Sequence, residues 1–145
     1  MQAITVRDRT AGPAGLTLSD IPRPHAAEND VIVRVHAAGF TPGELDWPGT
    51  WIDRAGHDRT SPVPGHDLSG VVTELGYGTT GLIVRQRVFG LADWTRDGSL
   101  AEYTAVDARN LSRRLTSSCC LLAGRTSPSP PARWQFRANR SFPVS

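Results

Sequence analysis

Apolar residues along this chain alternate with polar ones at a period of two far more often than they recur every three or four. The segment from Asn29 to Gly39 shows it best. Val31, Val33 and Val35 fall on one side, and Ile32, Arg34 and His36 on the other, the signature of a strand. Met1 to Val6 and Gly15 to Pro22 predict two earlier strands, the second ended by Pro22 and Pro24. Ser69 to Leu75, Leu82 to Gly90 and Ser99 to Val106 predict three more. Short strands separated by glycine-rich breaks point to a sandwich or barrel.

Between Phe40 and Gly65 the alternation stops. Four prolines and two tryptophans occur there. Thr41, Pro42 and Glu44 have the spacing of a capped helical turn. The rest reads as a long loop. Loops of more than about 12–15 residues in a compact domain are usually functional or disordered, and Trp47 and Trp51 argue against disorder.

After Leu111 no period survives. The domain is therefore expected to span residues 1–111, with an irregular, disordered basic tail over 112–145. Charge divides the same way. Residues 1–111 hold 10 Arg against 14 Asp plus Glu, and residues 112–145 hold 6 Arg and no acid. Lysine is absent. Three readings of the tail stay open: a linker, an out-of-frame extension never selected as protein, or an arginine-rich segment touching nucleic acid or membrane. Nucleic-acid binding is not the expectation. Cys119 and Cys120 are adjacent and have no histidine near them in sequence. They read as free thiols, since a vicinal disulfide is strained. No apolar run reaches membrane-spanning length and no signal segment is apparent, so a cytoplasmic location is expected.

One motif tests a functional class. Gly76 to Gly81 spells G-x-G-x-x-G, the dinucleotide-binding fingerprint. The fingerprint works only where a strand leads into a helix whose N-terminus meets the pyrophosphate. A strand precedes it here, but no helical stripe follows. These glycines are expected to shape a strand-to-strand turn.

Three stretches, Val35 to Trp51, Pro62 to Leu82 and Arg87 to Val106, carry a resemblance. The P-G-H-x-x-x-G-V-V core from Pro64 and the A-E-Y strand at Ala101 to Tyr103 are its most specific pieces. Together they resemble the N-terminal, GroES-like catalytic domain of medium-chain alcohol dehydrogenases and quinone oxidoreductases. The resemblance covers residues 1–111. It implies a mainly β, partly open GroES-like barrel with a long loop and short helical turns. It also implies that the true nucleotide fingerprint belongs to a separate Rossmann domain. The family usually has Gly-Asp before R-V-F-G, where this chain has Arg85 and Gln86.

Zinc members of the family place a Cys after the long central strand and a Gly-His-Glu later. The matching positions here are Thr41 and Gly65-His66-Asp67. A threonine hydroxyl is a poor substitute for thiolate, so no zinc is expected. The chain is then similar to the zinc-independent quinone and enone reductases, whose hydride donor is NADPH. The resemblance puts Thr41 beside the nicotinamide, and Glu44, Trp47 and Trp51 near the substrate-side loop. A plainer reading stands beside each. Thr41 can be only a cap and Glu44 only its capping partner. Trp47 and Trp51 can simply pack together, and His66 can be structural. No residue is assigned the chemical step, and His25, His36 and His57 receive no role. The expected function is the catalytic-domain portion of an NADPH-dependent quinone or enone reductase. Residues 1–145 alone are expected to bind no cofactor and to be inactive. A Rossmann domain or a second copy is the expected partner. The alternative is a non-enzymatic barrel that binds a partner protein.

Overall fold

The computed structural model describes residues 1–114. The tail from residue 115 onward, with Cys119 and Cys120, lies outside the described residues.

Strands β1 (Gln2–Val6) and β2 (Leu16–Asp20) form an antiparallel hairpin with Gln2 opposite Asp20 and Val6 opposite Leu16. Their connection is a 3-10 segment, Arg9–Gly15, capped by Asp8, whose Oδ1 accepts the Thr10 N–H at 2.8 Å. The second sheet holds β3 (Asp30–Ala38), β4 (Asp67–Leu75), β5 (Arg87–Leu91), β6 (Tyr103–Asp107) and β7 (Leu111–Arg113). Its order is β6-β3-β4-β5-β7, antiparallel throughout. The two sheets do not close into a continuous barrel, in keeping with a partly open GroES-like architecture.

The core follows from the alternation. Val31, Val33, Val72 and Val88 are fully buried, with Val106, Leu68 and Leu111 beside them. Each buried valine contributes on the order of 1.5 kcal/mol or more by leaving water. Ile32 is buried too. A register shift against β4 between Ile32 and Val33 breaks strict alternation at that point. The hairpin docks through backbone hydrogen bonds: Ile4 N–H to Leu100 O (2.8 Å), Val6 N–H to Pro62 O (3.1 Å) and Glu102 N–H to Gln2 O (3.0 Å). At the other end, Arg96 grips the buried Asp30 in a bidentate pair, with N–O distances of 2.9 and 2.6 Å.

Two expectations need correction. The strand expected over Leu82–Gly90 exists only from Arg87 on, and it ends at Leu91. Residues 82–86 turn instead. Leu82 points into the core, while Ile83 and Val84 are exposed. Arg85 has φ 72°, and its N–H reaches Val72 O at 2.8 Å while Val72 N–H reaches Gln86 O at 2.9 Å. An L-residue in the left-handed region costs about 1 kcal/mol, and here it stands where the resembling family carries glycine. The strand expected over Ser99–Val106 is likewise confined to Tyr103–Asp107. The backbone N–H groups of Ser99 and Leu100 go to Gly65 O and Pro64 O, outside any strand ladder. The sheet also continues past Leu111, since β7 pairs with β5 through Arg113.

The G-x-G-x-x-G segment lies in the connection between β4 and β5, and no helix intervenes between those strands. Gly78 and Gly81 both take φ 80°, and a Cβ on Gly76 would lie 1.8 Å from Ala27 O. Turn geometry and close backbone approach account for all three glycines.

Candidate functional site

The loop after β3 is more structured than a proline-rich segment suggests. Thr41 caps a 3-10 turn, Pro42–Asp46. The helical turn α1 (Pro48–Trp51) follows, with proline again at its first position. Trp47 joins the two turns. The expected cap is present in part: Thr41 N–H donates to Glu44 Oε1 at 3.0 Å.

Glu44 reaches further. It is only 4% exposed, and its second oxygen accepts the Gly65 N–H at 3.0 Å, across 21 residues. A buried carboxylate with two N–H donors is well satisfied. It ties the loop after β3 to the segment that enters β4. His66 comes next in that segment, and its Nε2 lies 3.9 Å from Glu44 Oε2, too far for a hydrogen bond. His66 is 5% exposed, and its Nδ1 is buried with no partner. Burial pushes the imidazole below its ordinary pKa, while the Glu44 charge and the Ala92 backbone pull it back less strongly. The ring is therefore neutral near pH 7.

Two indoles face it. Trp47 stacks on His66 with centroids 5.9 Å apart and planes at 26°. Trp94 sits 4.7 Å from His66 and 4.4 Å from Trp47. Trp47 is 36% exposed and Trp94 48%, so the cluster presents aromatic surface above a buried polar ring. Thr41 and Glu44 are linked by a hydrogen bond, and Glu44 and Trp47 lie against His66. Trp51 is not in the stack. Its Nε1 donates to Leu45 O at 2.7 Å, and its surface neighbours are Arg7, Arg9 and Arg59. Trp94 was missed by sequence reasoning. It stands in a turn after β5, where no period marks it, and only tertiary contact brings it to His66.

Among the described residues no three His, Cys, Asp or Glu side chains gather as a metal would need. Thr41, at the position where the resembling zinc enzymes carry cysteine, offers only an uncharged hydroxyl. Both oxygens of Glu44 already hold backbone N–H groups. Zinc does not fit this donor set. A dinucleotide pyrophosphate fits no better, because the one fingerprint among the described residues opens no helix.

A hairpin beside a five-stranded antiparallel sheet, with a capped loop between β3 and β4 and a histidine just before β4, defines a GroES-like domain. The chain belongs to the alcohol dehydrogenase GroES-like domain family, which matches residues 27–115. It is 30% identical to the L-threonine 3-dehydrogenase of Burkholderia ambifaria, in a match covering 76% of this chain and 38% of that protein. Its fold is that of a Coxiella burnetii quinone oxidoreductase, with a TM-score of 0.69 at 24% identity, over 80% of this chain and 37% of that one. An alcohol dehydrogenase superfamily protein from Novosphingobium aromaticivorans matches at TM-score 0.66 and 26% identity, over 81% and 35%. The chain spans less than two fifths of the length of these relatives. No helix among the described residues is long and apolar enough to cross a membrane.

Proposed function

We propose that this domain is the catalytic-side portion of a zinc-independent, NADPH-dependent oxidoreductase that reduces a quinone or conjugated carbonyl. The observation that carries the reading is the cluster of Trp47, His66 and Trp94. Two partly exposed indoles beside a neutral imidazole suit a flat conjugated molecule. Trp47 and Trp94 supply its apolar contact, and the Thr41 hydroxyl supplies a hydrogen bond to its oxygen. Glu44 holds Thr41 and Gly65 in place. The hydride donor is held on a separate nucleotide domain, because the described residues provide no pyrophosphate cradle. Residues 1–145 alone are then inactive, and that nucleotide domain or a second copy is the partner. Exposed apolar side chains on β5, Phe89 and Leu91, support such a contact.

The test is tryptophan quenching by a soluble benzoquinone, with metal analysis and NADPH turnover on the same sample. Saturable quenching that Trp94→Ala weakens, with no zinc and no turnover, is the expected result. Heat-labile NADPH–quinone turnover by residues 1–145 would overturn the proposed inactivity, and absence of quenching would overturn the substrate class. A second reading, L-threonine dehydrogenation, is favoured by the 30% identity to proteins of that name. Near-stoichiometric zinc retained after desalting would move the assignment there.

A further inference from the structure

Beside Trp51 lies a concavity lined by Arg7, Arg9, Trp51, Arg59, Thr60 and Ser61, with no acidic side chain in the lining. Backbone contacts assemble it from three segments. The Val6 N–H to Pro62 O bond sets the end of β1, and with it Arg7, against Ser61. Arg9 opens the 3-10 segment that follows. Arg59 N–H bonds Trp51 O at 2.7 Å, which brings α1 alongside.

The three guanidiniums are not equivalent. Arg59 is pinned, with Nη2 on Asp97 Oδ1 at 2.6 Å and Nη1 near Gly49 O and Thr50 O at 3.3 and 3.2 Å. Arg7 and Arg9 are exposed and have no carboxylate within 4.0 Å among the described residues. Two like charges are thus held near a third whose charge is already matched. Ser61 has φ 55° although a proline follows it, a position normally confined to extended backbone. Such local strain is common where a loop is held for binding.

We propose that this concavity binds the phosphate of a phosphate monoester. A dianion matches the two unmatched guanidiniums, whose forked N–H groups suit phosphate oxygens. The Thr60 and Ser61 hydroxyls supply further donors, and the Trp51 ring offers a face for the ester's organic part.

Calorimetry on the full chain, in dilute phosphate-free buffer, with inorganic phosphate, phenyl phosphate and benzoate tests this. Phosphate is expected to bind, phenyl phosphate more tightly, and benzoate weakly. Arg7→Gln and Arg9→Gln are each expected to weaken phosphate about tenfold. Arg109→Gln, whose guanidinium pairs with Asp107, is expected to leave binding unchanged. Binding that survives both substitutions belongs to the six arginines of residues 112–145 and overturns the proposal. So does benzoate binding as tight as phenyl phosphate, or binding of a phosphodiester oligonucleotide without any binding of the monoester. Both exposed positions tolerate glutamine, and far-ultraviolet circular dichroism confirms that the variants are folded.

Discussion

Replacing Glu44 by glutamine isolates what one buried carboxylate does for the loop. The side chain keeps its size and loses its charge. Glutamine has one carbonyl oxygen for the two backbone N–H groups, of Thr41 and Gly65, that the carboxylate now satisfies at 3.0 Å each. One of those N–H groups then faces an amide NH2. Losing a charged hydrogen bond costs about 1.5–3 kcal/mol, and a stranded buried N–H about 1–3. Removing a charge that burial disfavours returns part of this. The net expectation is a loss of about 2 kcal/mol, and for a domain of this size a fall in Tm of about 10 °C. Urea unfolding followed by tryptophan fluorescence and far-ultraviolet circular dichroism measures it, with an unchanged m-value as the sign that only stability moved. Glu44→Asp, which keeps the charge but falls short of Gly65, should lie between the two. A change of less than about 0.5 kcal/mol in Glu44→Gln, well below the cost of one stranded donor, would refute the claim that this carboxylate joins the two segments.

Three further outcomes follow from the same structure. The His66 pKa is lowered by burial, so the unfolded chain binds its proton first. Stability should be fully present above about pH 6.5 and fall as pH drops below it. His36 shifts in the same direction, so the slope of His66→Asn must be compared with that of the parent; equal slopes would remove His66 as the cause. Arg85→Gly should raise stability by about 0.5 kcal/mol, because relief of left-handed strain exceeds the added freedom of the unfolded chain; a lower urea midpoint would contradict the φ of 72°. Asp30→Asn should cost about 2 kcal/mol or more by stranding Arg96, discounted because that guanidinium side is 34% exposed; a thermal midpoint within 2 °C of the parent would show the pair to be dispensable.

Much of the sheet was legible in the sequence because the period of two is strong where one face is buried. β3 and β4 occupy nearly the residues their alternation indicates. Leu82, Ile83 and Val84 misled because an apolar run looks the same whether it extends or turns, and only Leu82 is buried. What decides it is the left-handed backbone at Arg85, a residue type that gives no warning. At the site, the bond between Thr41 and Glu44 was legible since it spans three residues. The bond from Glu44 to Gly65 was not, because it spans 21 and no local pattern records it. Trp94 was opaque for the same reason. α1 was passed over although Pro48 is a proper helix start, since four residues leave no period to detect.

The sheet ends in β7, only three residues long, and its Arg113 side chain folds back onto the Gly81 carbonyl. Without β7 one side of β5 would offer free N–H and C=O groups beside the exposed Phe89 and Leu91, a template to which a foreign strand can add. A short strand tipped with arginine therefore acts as a seal against self-association. β7 is the last described strand in the sequence, so a chain that stops after β6 carries the core residues of β3 to β6 but leaves that edge open. Chains halted at that length should precipitate where the longer chain stays in solution, and light scattering of the two would tell them apart.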